Sequence, residues 1–441
     1  MKDFAQDIMP VCDMTGKKKS VDIAIIGAGA SGLAAAIEAK RVRPDSGVLL
    51  LEKSARPGRK ILASGNGRCN ISNKNLSGVF YHGENTEFIR PAFERYGLES
   101  TCEFFEDMGV PLREEGSEGR LYPYSLSAGA VIDALRHEAE HLKIDLLTNA
   151  NVLKIARKSS GLDISCEIDK NVFIIDCKKA IVACGGAASP SLGGSFAGYE
   201  LLKALGHSIT AIRPSIVQLE CDSEYTKAMD GIRVDAHVSL ITDSKNEKYK
   251  KIPLEYSGEV LLTKYGLSGP AIMQLSGRAI SAMTAGERPY FSINMLPEFS
   301  QSQLVSHLFA RQAARPWAKL EDFLTGLVQK RLGMMAIKAA GVAPLSRQAQ
   351  SLDTKEIKAI AAQLSAWEFS ITGDLGLKSA QVTAGGARTC EFDPATLKSE
   401  IVPGLYACGE LLDIDGDCGG YNLQWAWSSG RLAGFSAATS L

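Results

Sequence analysis

A predicted β-strand that passes directly into a glycine-rich turn and then into a helix is the feature that most constrains the fold of this chain. The run Val21–Ile26 is short and rich in β-branched residues, as expected of a strand buried on both faces. It is followed by the turn Gly27–Gly32, which has GxGxxG spacing, and by the alanine-rich segment Leu33–Lys40. A second strand, Val48–Glu52, comes next. These segments predict a βαβ unit, the context in which GxGxxG indicates dinucleotide binding.

Each glycine of the turn has a separate physical role. Gly27 permits the tight turn, Gly29 leaves room for a pyrophosphate, and Gly32 lets the helix pack closely on the strand. The first N–H groups of the helix, from Ala30 onward, lack intrahelical partners and favour an anion. Ser31 adds a hydroxyl donor, and Glu52, at the end of the second strand, is placed to accept from ribose hydroxyls. The pattern predicts a dinucleotide without distinguishing NAD from FAD.

Two further regions favour FAD. After Glu52 the chain enters a long basic segment and then the polar loop SGNGRCNISN at 64–73. Its glycines make the backbone flexible enough to run along an extended cofactor. Near the C-terminus, a strand ends at Gly409 and Glu410, and the segment 419–424 opens the final helix. A helix N-terminus directed at a flavin pyrimidine ring would stabilise negative charge there. Either Glu410 or Asp413 could hold ribityl hydroxyls.

The remaining patterns describe a chain whose two ends form one domain around an inserted middle. Helical patterns occur at about 86–108 and 128–142, and alternating strands at about 146–184. Residues 207–296 are predicted to form mostly short strands, with a helix-like segment at 269–276. Residues 300–365 have helical spacing, and a returning strand is predicted at 367–372. A closing helix is predicted at about 423–439.

Composition sets limits on partners and compartment. The net charge is −1 and the pI about 6.6, a balance that predicts no nucleic-acid or membrane partner. Ten cysteines without a CxxC pair are typical of reduced thiols, and neither a signal peptide nor a membrane span is evident, so a cytoplasmic location is expected. The sequence does not predict an oligomeric state.

One metal-site motif is present and is interpreted as coincidental. His137–His141 matches HExxH, but at helical pitch both histidines lie about 200° from the apolar stripe and point to solvent. No third ligand follows downstream, so no metal site is predicted.

Three segments together resemble the BaiN-like flavoproteins, also called aminoacetone-oxidase-family FAD-binding enzymes or NAD(P)/FAD-dependent oxidoreductases. They are GRKILASGNGRCNISN, LTKYGLSGPAIMQLS and the long C-terminal motif that begins AQVTAGGARTCEFDP, all collinear with the fingerprint over about residues 20–440. The resemblance implies an α/β fold: a split Rossmann-type FAD domain of glutathione-reductase type, an inserted β-barrel and a small helical domain. The ranges expected are an N-terminal extension at 1–20, FAD domain at 21–206 and 380–441, barrel at 207–299 with a return strand at 366–379, and helical domain at 300–365.

The resemblance also implies a set of cofactor-binding residues. Those at the pyrophosphate and ribose are Gly27, Gly29, Ala30, Ser31, Gly32, Glu52 and Lys53. Those beside the flavin, the adenine or the connecting chain are Arg59, Lys60, Gly67, Arg68, Cys69, Asn70, Val152, Ala183, Gly185, Gly409, Glu410, Asp413, Gly420, Asn422 and Leu423. Cys69 beside Arg68 could also be a reactive thiolate, although a packing role is favoured because no second cysteine lies near it.

The catalytic candidates are Tyr122, Lys264 and Tyr421. Lys264 stands where the family commonly has histidine. If that histidine is catalytic in relatives, the lysine puts the same mechanism in doubt for this chain. The favoured reaction is NAD(P)H-linked reduction of an activated C=C bond in a small organic substrate, with NADH or NADPH docking transiently because a second GxGxxG is absent. An amine oxidase that uses oxygen and a non-catalytic flavin-binding sensor remain alternatives. A tRNA-modifying flavoenzyme is disfavoured by the near-neutral charge.

Overall fold

A computed structural model describes residues 18–221, 224–242 and 254–441 of the chain. The chain divides into two compact units, one formed by residues up to Arg213 together with Val382–Leu441, and one formed by Pro214–Gln381. Both ends of the chain therefore contribute to the first unit. Most of the predicted extension at 1–20 lies outside the described residues, and the other predicted domain ranges stay predictions.

Strands and short helices alternate along the described chain. The strands are β1 (Lys18–Ile26), β2 (Val48–Leu51), β3 (Ser72–Asn73), β4 (Tyr81–His82), β5 (Leu112–Glu115), β6 (Arg120–Pro123), β7 (Asp145–Leu147), β8 (Asn151–Arg157), β9 (Leu162–Ile168), β10 (Asn171–Val182), β11 (Arg213–Ser215), β12 (Leu219–Cys221), β13 (Arg233–Ile241), β14 (Glu255–Thr263), β15 (Gly266–Ser268), β16 (Tyr290–Asn294), β17 (Trp367–Asp374), β18 (Val382–Ala384), β19 (Leu405–Ala407) and β20 (Asp415–Gly416). The helices are α1 (Ala30–Val42), α2 (Arg59–Ala63), α3 (Arg90–Tyr96), α4 (Leu98–Asp107), α5 (Ala128–His141), α6 (Ala197–Ala204), α7 (Glu224–Ala228), α8 (Pro270–Thr284), α9 (Gln301–Ala314), α10 (Leu320–Phe323), α11 (Lys330–Ala339), α12 (Thr354–Ser365), α13 (Gly376–Ser379) and α14 (Tyr421–Thr439).

A seven-stranded sheet forms the centre of the first unit. Its order is β7-β2-β1-β10-β9-β8, and β19 also pairs with β10. β1 is parallel to β2 and to β10, as a βαβ unit requires. β10 has two kinds of partner along one edge: residues 171–177 pair with β9, whereas residues 180–182 pair with β19. The C-terminal segment therefore joins the same sheet as the N-terminal strand.

The C-terminal helix α14 packs very closely on α1 because two of its residues have no side chain. A Cβ atom at Gly430 would lie 2.3 Å from the carbonyl oxygen of Ser31, and one at Gly434 would lie 2.1 Å from that of Ala35. A buried ion pair joins the same two helices, with Arg431 Nε 2.8 Å from Glu38 Oε2. Any larger residue at either glycine would force the helices apart.

The second unit contains a closed barrel with the strand order β12-β15-β14-β13-β16-β17. Alternate residues of β13, namely Ala236, Val238 and Leu240, are buried, as the two-residue period of a strand predicts. The predicted returning strand is present as β17, which pairs with β16 and β12. The helix-like segment predicted at 269–276 is the first half of α8.

Four helices, α9 to α12, lie between β16 and β17 in sequence and form the predicted helical segment. Two of them begin with capping boxes, in which Ser300 pairs with Gln303 and Asp353 with Glu356. Their apolar faces are buried through Leu304, Leu308, Ile357 and Ile360.

The predicted fold class is confirmed: a split Rossmann-type α/β domain, an inserted barrel and a helical segment. One pattern differs in detail, since the helical run at 86–108 contains two helices, α3 and α4, that are separated at Gly97, where ψ is −156°. Within the described ranges, none of the helices combines the length and apolar character that a membrane span requires.

Candidate flavin-binding site

The turn between β1 and α1 has the shape of a ligand cradle. A Cβ at Gly27, where φ is 105°, would lie 2.5 Å from the Ala183 carbonyl oxygen, and one at Gly32 would lie 1.8 Å from the Gly27 carbonyl oxygen. Both glycines are therefore required by the protein's own backbone. At Gly29, in contrast, a Cβ would meet no atom within 4 Å. This open space adjoins the uncapped N-terminus of α1, where a diphosphate would be stabilised.

Glu52 is held at the edge of this cradle. Its Oε2 accepts from the Ala28 N–H at 3.0 Å, and its Oε1 accepts from the Ser54 N–H at 2.7 Å. These bonds fix the carboxylate, and each oxygen retains a lone pair for a ribose hydroxyl. The neighbouring Lys53 is exposed.

Glu410, from the C-terminal segment, is bound to two other parts of the first unit. Lys60 Nζ lies 2.6 Å from Glu410 Oε2, and the Thr383 N–H donates to Glu410 Oε1 at 2.8 Å. A Cβ at Gly186 would lie 2.7 Å from Glu410 Oε1, so the backbone after β10 must pass close to this carboxylate. Arg59 donates to the Ser191 carbonyl oxygen at 2.5 Å.

The polar loop at 64–73 contains glycines at positions where the backbone is left-handed. Gly65, Asn66 and Gly67 have φ of 56°, 56° and 81°, and Cys69 has φ of 61°. A Cβ at Gly65 would lie 2.9 Å from Cε1 of Tyr122, so the tyrosine ring packs directly on the loop. Residues 64–67 thus form a tight helical turn, and residues 72–73 form β3, which the sequence pattern did not predict.

Arg68 and Cys69 have different environments within this loop. The Arg68 guanidinium lies 4.8 Å from the centre of the Tyr122 ring, and Cys69 is fully buried. Burial raises the pKa of the Cys69 thiol to about 12. A thiol with this pKa is neutral at physiological pH, which favours the packing interpretation of Cys69 over the reactive-thiolate one.

A buried acceptor lies beside the N-terminus of α14. Asn70 Oδ1 is buried and has no hydrogen-bond partner among the residues that the structure describes. A Cβ at Gly420, which precedes the helix, would lie 2.9 Å from that oxygen and 2.4 Å from the Ser72 carbonyl oxygen. Helix α14 has no side-chain cap, so its first N–H groups are unsatisfied donors, and Gly420 beside the acceptor directly precedes them. Donors and an acceptor side by side fit the pyrimidine edge of a flavin, which alternates carbonyl oxygens with an N–H.

Ser31 and Gly409 bring the two glycine-rich ends together. A Cβ at Gly409 would lie 2.6 Å from Ser31 Oγ. The Gly409 N–H donates to Ser429 Oγ at 2.9 Å, and its carbonyl oxygen accepts from Trp425 Nε1 at 3.1 Å. Trp425 therefore positions the C-terminal motif.

Two of the predicted cofactor ligands have side chains with other contacts. The Asn422 amide accepts from the Gly416 N–H at 2.8 Å and donates to the Gly416 carbonyl at 2.6 Å, so it closes the preceding loop. Asp413 is buried, and its Oδ2 accepts from the Glu84 N–H at 3.0 Å. Any contact of Asn422 with the flavin would come from its backbone N–H in the first turn of α14.

The other predicted cofactor positions lie on surrounding backbone. Ala183 and Gly185 follow β10, and the Ala183 N–H donates to the Ile26 carbonyl oxygen at 2.8 Å. Val152 is half-buried in β8, next to a bulge at 152–154. Leu423 is half-buried in the first turn of α14.

The three catalytic candidates are not equivalent. Tyr122 is buried against the loop, and Tyr421 is buried in a stack with Phe80, with ring centres 4.6 Å apart. Burial, with the nearby Asp417 charge, raises the pKa of Tyr421 to about 12. Lys264 belongs to the second unit, where it is exposed between β14 and β15 and its N–H donates to Asp230.

Sequence reasoning missed Gly65, Gly186, Thr383 and Ser429, which shape or support the site. Thr383 donates to Glu410 and also accepts from the Ala188 N–H at 2.9 Å. The glycine pairs at 185–186 and 385–386 were the available signal, since paired glycines mark close backbone approach.

The HExxH histidines are exposed on α5, and Glu138 of that motif pairs with Arg41 at 2.8 Å. Among the described residues, no three His, Cys, Asp or Glu side chains form a group that could hold a metal ion.

The chain matches one protein family over most of its length. A family model described as the HI0933-like protein Rossmann domain matches residues 21–436. The chain belongs to the HI0933-like family. This confirms the resemblance to the BaiN-like FAD-binding oxidoreductases, and the HI0933-like chain is accordingly an FAD-dependent oxidoreductase.

Two curated relatives align over nearly the full length of this HI0933-like chain. A protein of Clostridium scindens named 3-dehydro-bile acid delta(4,6)-reductase is 36% identical, over 94% of this chain and 98% of that protein. The ribosomal RNA dihydrouridine synthase of Escherichia coli is 31% identical, over 92% and 96%. Among solved structures, the 3-ketosteroid delta1-dehydrogenase of Sterolibacterium denitrificans shares the fold, with a TM-score of 0.50, 10% identity, and coverage of 96% of this chain and 100% of that one.

Proposed function

We propose that this flavoenzyme uses NADH or NADPH to saturate a C=C bond that is conjugated to a carbonyl group. Bound FAD supplies the two-electron exchange between nicotinamide and substrate. In the net reaction a hydride equivalent and a proton add across the double bond, and NAD(P)H becomes NAD(P)+.

The names of the two curated relatives carry this proposal. One is named for the reduction of a 3-dehydro-bile acid, in which the double bonds of the delta(4,6) system are conjugated to the 3-ketone. The other is named for forming dihydrouridine, which is uridine with one ring double bond saturated beside a carbonyl. The substrates differ greatly in size, but the bond that is reduced has the same electronic character. That shared chemistry favours reduction of a conjugated C=C bond over amine oxidation.

The residues of the first unit are suited to hold the cofactor. The open space at Gly29 and the N–H groups of α1 would bind the diphosphate, and Glu52 would accept from the ribose hydroxyls. Asn70 Oδ1 and the N-terminus of α14 would bind the flavin pyrimidine edge, where the helix dipole favours negative charge.

Tyr122 and Tyr421 are the candidates to deliver the proton. The Tyr421 phenol is protonated at neutral pH and could give this proton to a substrate carbon, but burial raises its pKa to about 12 and so makes it a weaker acid than a free phenol. A phenylalanine at the true donor should lower the reduction rate by about 100-fold or more while flavin reduction by NAD(P)H continues.

The test is an anaerobic titration of the FAD-loaded protein with NADPH and, separately, NADH. We expect one of them to bleach the visible flavin band, and a 4-en-3-one steroid to restore it with formation of the saturated ketone. A flavin that neither nucleotide bleaches would overturn the proposal. Rapid peroxide formation from aminoacetone in air would favour the oxidase, and slow reoxidation by every acceptor would favour the sensor.

A second candidate substrate is uridine in ribosomal RNA. Two ribosomal RNA dihydrouridine synthases, of Escherichia coli and Haemophilus influenzae, are 31% and 28% identical over more than nine-tenths of this chain. The net charge of −1 predicts no nucleic-acid partner, but residues 300–365 alone hold nine Lys and Arg against four Asp and Glu. Incubation with in-vitro transcribed bacterial ribosomal RNA and NADPH, followed by nucleoside mass spectrometry, tests this. Formation of dihydrouridine would support it, and an unchanged uridine content would exclude it.

A further inference from the structure

An exposed tip of the helical segment is built from two short pieces of chain, residues 315–319 and 347–350, which we call the Trp317 tip. Lys319 and Gln348 form an antiparallel bridge. The Gln350 N–H donates to the Pro316 carbonyl oxygen at 2.9 Å, and the Ala349 N–H donates to that of Ala318 at 2.8 Å. These backbone bonds fix the position of Trp317 between them.

Trp317 is unusually exposed for a tryptophan. Its relative accessibility is 63%, whereas Trp367, Trp425 and Trp427 are each 3% exposed or less. The Arg315 guanidinium lies 5.1 Å from the centre of the Trp317 ring. A cation beside an exposed indole is a common arrangement for binding a base and its phosphate.

The helical segment that carries this tip has an excess of positive charge. Residues 300–365 carry a net charge of +5, although the whole chain carries −1. Arg311 and Arg315 lie one helical turn apart, and Arg311 donates to the carbonyl oxygens of Phe323 and Thr325. Lys319 pairs with Glu321 at 3.7 Å and Arg347 with Glu356 at 2.7 Å, so acids offset those two cations. For Arg315 the described chain shows no carboxylate within ion-pair distance.

We propose that the Trp317 tip is an RNA-binding surface, on which the Trp317 ring stacks against an unpaired base and Arg315 contacts a neighbouring phosphate. Both contacts follow from the chemistry of the pair, because bases stack on indoles and phosphates attract guanidinium groups. The choice of RNA over another polyanion rests on the second candidate substrate described above. A single exposed ring with a cation is too small an apolar surface for a stable protein interface.

The experiment measures binding of a fluorescein-labelled, uridine-rich single-stranded RNA to the full FAD-loaded chain by anisotropy, without nicotinamide. Trp317→Ala should weaken binding by about 5-fold or more, since stacking contributes about 1–3 kcal/mol per base. Trp317→Phe should retain most of the affinity. Arg315→Ala should reduce the slope of log affinity against log salt by about 0.7. Lys358→Ala, which removes an exposed cation of α12 outside the tip, is the matched control and should have the smaller effect on affinity.

Two results would overturn the inference: no RNA binding at low salt, or equal affinity of the wild type and Trp317→Ala. The flavin spectrum and melting temperature of each variant show that it is folded. Reduction of a 4-en-3-one is measured separately with the same preparations. A wild-type protein that reduces the 4-en-3-one but binds no RNA would count against the Trp317 tip alone, whereas one that binds RNA but reduces nothing would count against the proposed reaction alone.

Discussion

The side chains of Lys60 and Glu410 form an ion pair, with Nζ 2.6 Å from Oε2, although 350 residues separate them in the chain. Lys60 lies in the basic segment that follows the first βαβ unit, and Glu410 lies in the C-terminal motif. The other carboxylate oxygen of Glu410, Oε1, accepts a hydrogen bond from the Thr383 N–H. The pair therefore ties together segments that the inserted unit separates in sequence.

A double-mutant cycle with Lys60→Met and Glu410→Gln should give a coupling of about 0.5–1.5 kcal/mol in the free energy of unfolding, because the pair is only partly exposed. Urea unfolding of the two single variants and the double variant provides the measurement. The exposed pair of Lys74 and Glu114, at 2.7 Å, is the control and should give a coupling near zero. Equal couplings for the two pairs would contradict the structural role of Lys60 and Glu410.

Asn70→Leu should separate flavin binding from stability. The substitution removes a buried acceptor that has no partner in the described part of the chain, so the free energy of unfolding of the apo-protein should stay equal or rise. The Kd for FAD should increase about tenfold or more, because the flavin edge loses a hydrogen bond. Urea unfolding and FAD fluorescence titration measure the two quantities. A less stable apo-protein with unchanged FAD affinity would show that Asn70 acts only in packing.

His207 forms a buried chain of hydrogen bonds away from the glycine turn. Its Nδ1 lies 3.0 Å from Glu391 Oε2 and its Nε2 lies 2.9 Å from Ser399 Oγ, the order of a Ser–His–acid triad. Ser399 Oγ also accepts from the Val402 N–H, and the His207 side chain has no exposed surface. No substrate can reach the group, so its role is to hold the 391–402 segment in place.

This arrangement predicts a pH dependence of stability. Burial lowers the pKa of His207, despite the opposing effect of Glu391. The unfolded chain therefore binds the proton more readily, and the free energy of unfolding should fall as pH decreases below about 6.5. In His207→Gln that part of the slope between about pH 6.5 and 5 should disappear, as measured by urea unfolding. Identical slopes for both proteins would contradict the prediction.

Short-range patterns in the sequence predicted the fold well because their causes are local. The spacing of Gly27, Gly29 and Gly32 is sufficient to predict the turn, and the β-branched runs before and after it predict the parallel strands. The contact between Lys60 and Glu410 could not be predicted, since no local pattern shows which distant acid meets which base. The place of Asn422 in the motif predicts a contact with the flavin, but it could not predict that the Asn422 side chain closes the loop at Gly416.

Gly29 and Gly32 should respond differently to alanine. In Gly29→Ala the new methyl group meets no protein atom, so the apo-protein should fold with nearly the same melting temperature but bind FAD at least about tenfold more weakly. In Gly32→Ala the methyl group would lie 1.8 Å from a backbone oxygen, so the protein should be strongly destabilised. Thermal unfolding of the two apo-proteins and FAD titration of Gly29→Ala check both expectations. Normal FAD affinity in Gly29→Ala would show that the open space is not where the diphosphate binds.

The most direct test of the account is the FAD content of the purified, folded chain, measured from the visible spectrum and from the flavin released on denaturation. We expect a yellow protein that holds about one FAD per chain, or an apo-protein that takes up FAD in that ratio when it is supplied. A folded protein that is colourless and leaves added FAD free in solution would contradict the central claim.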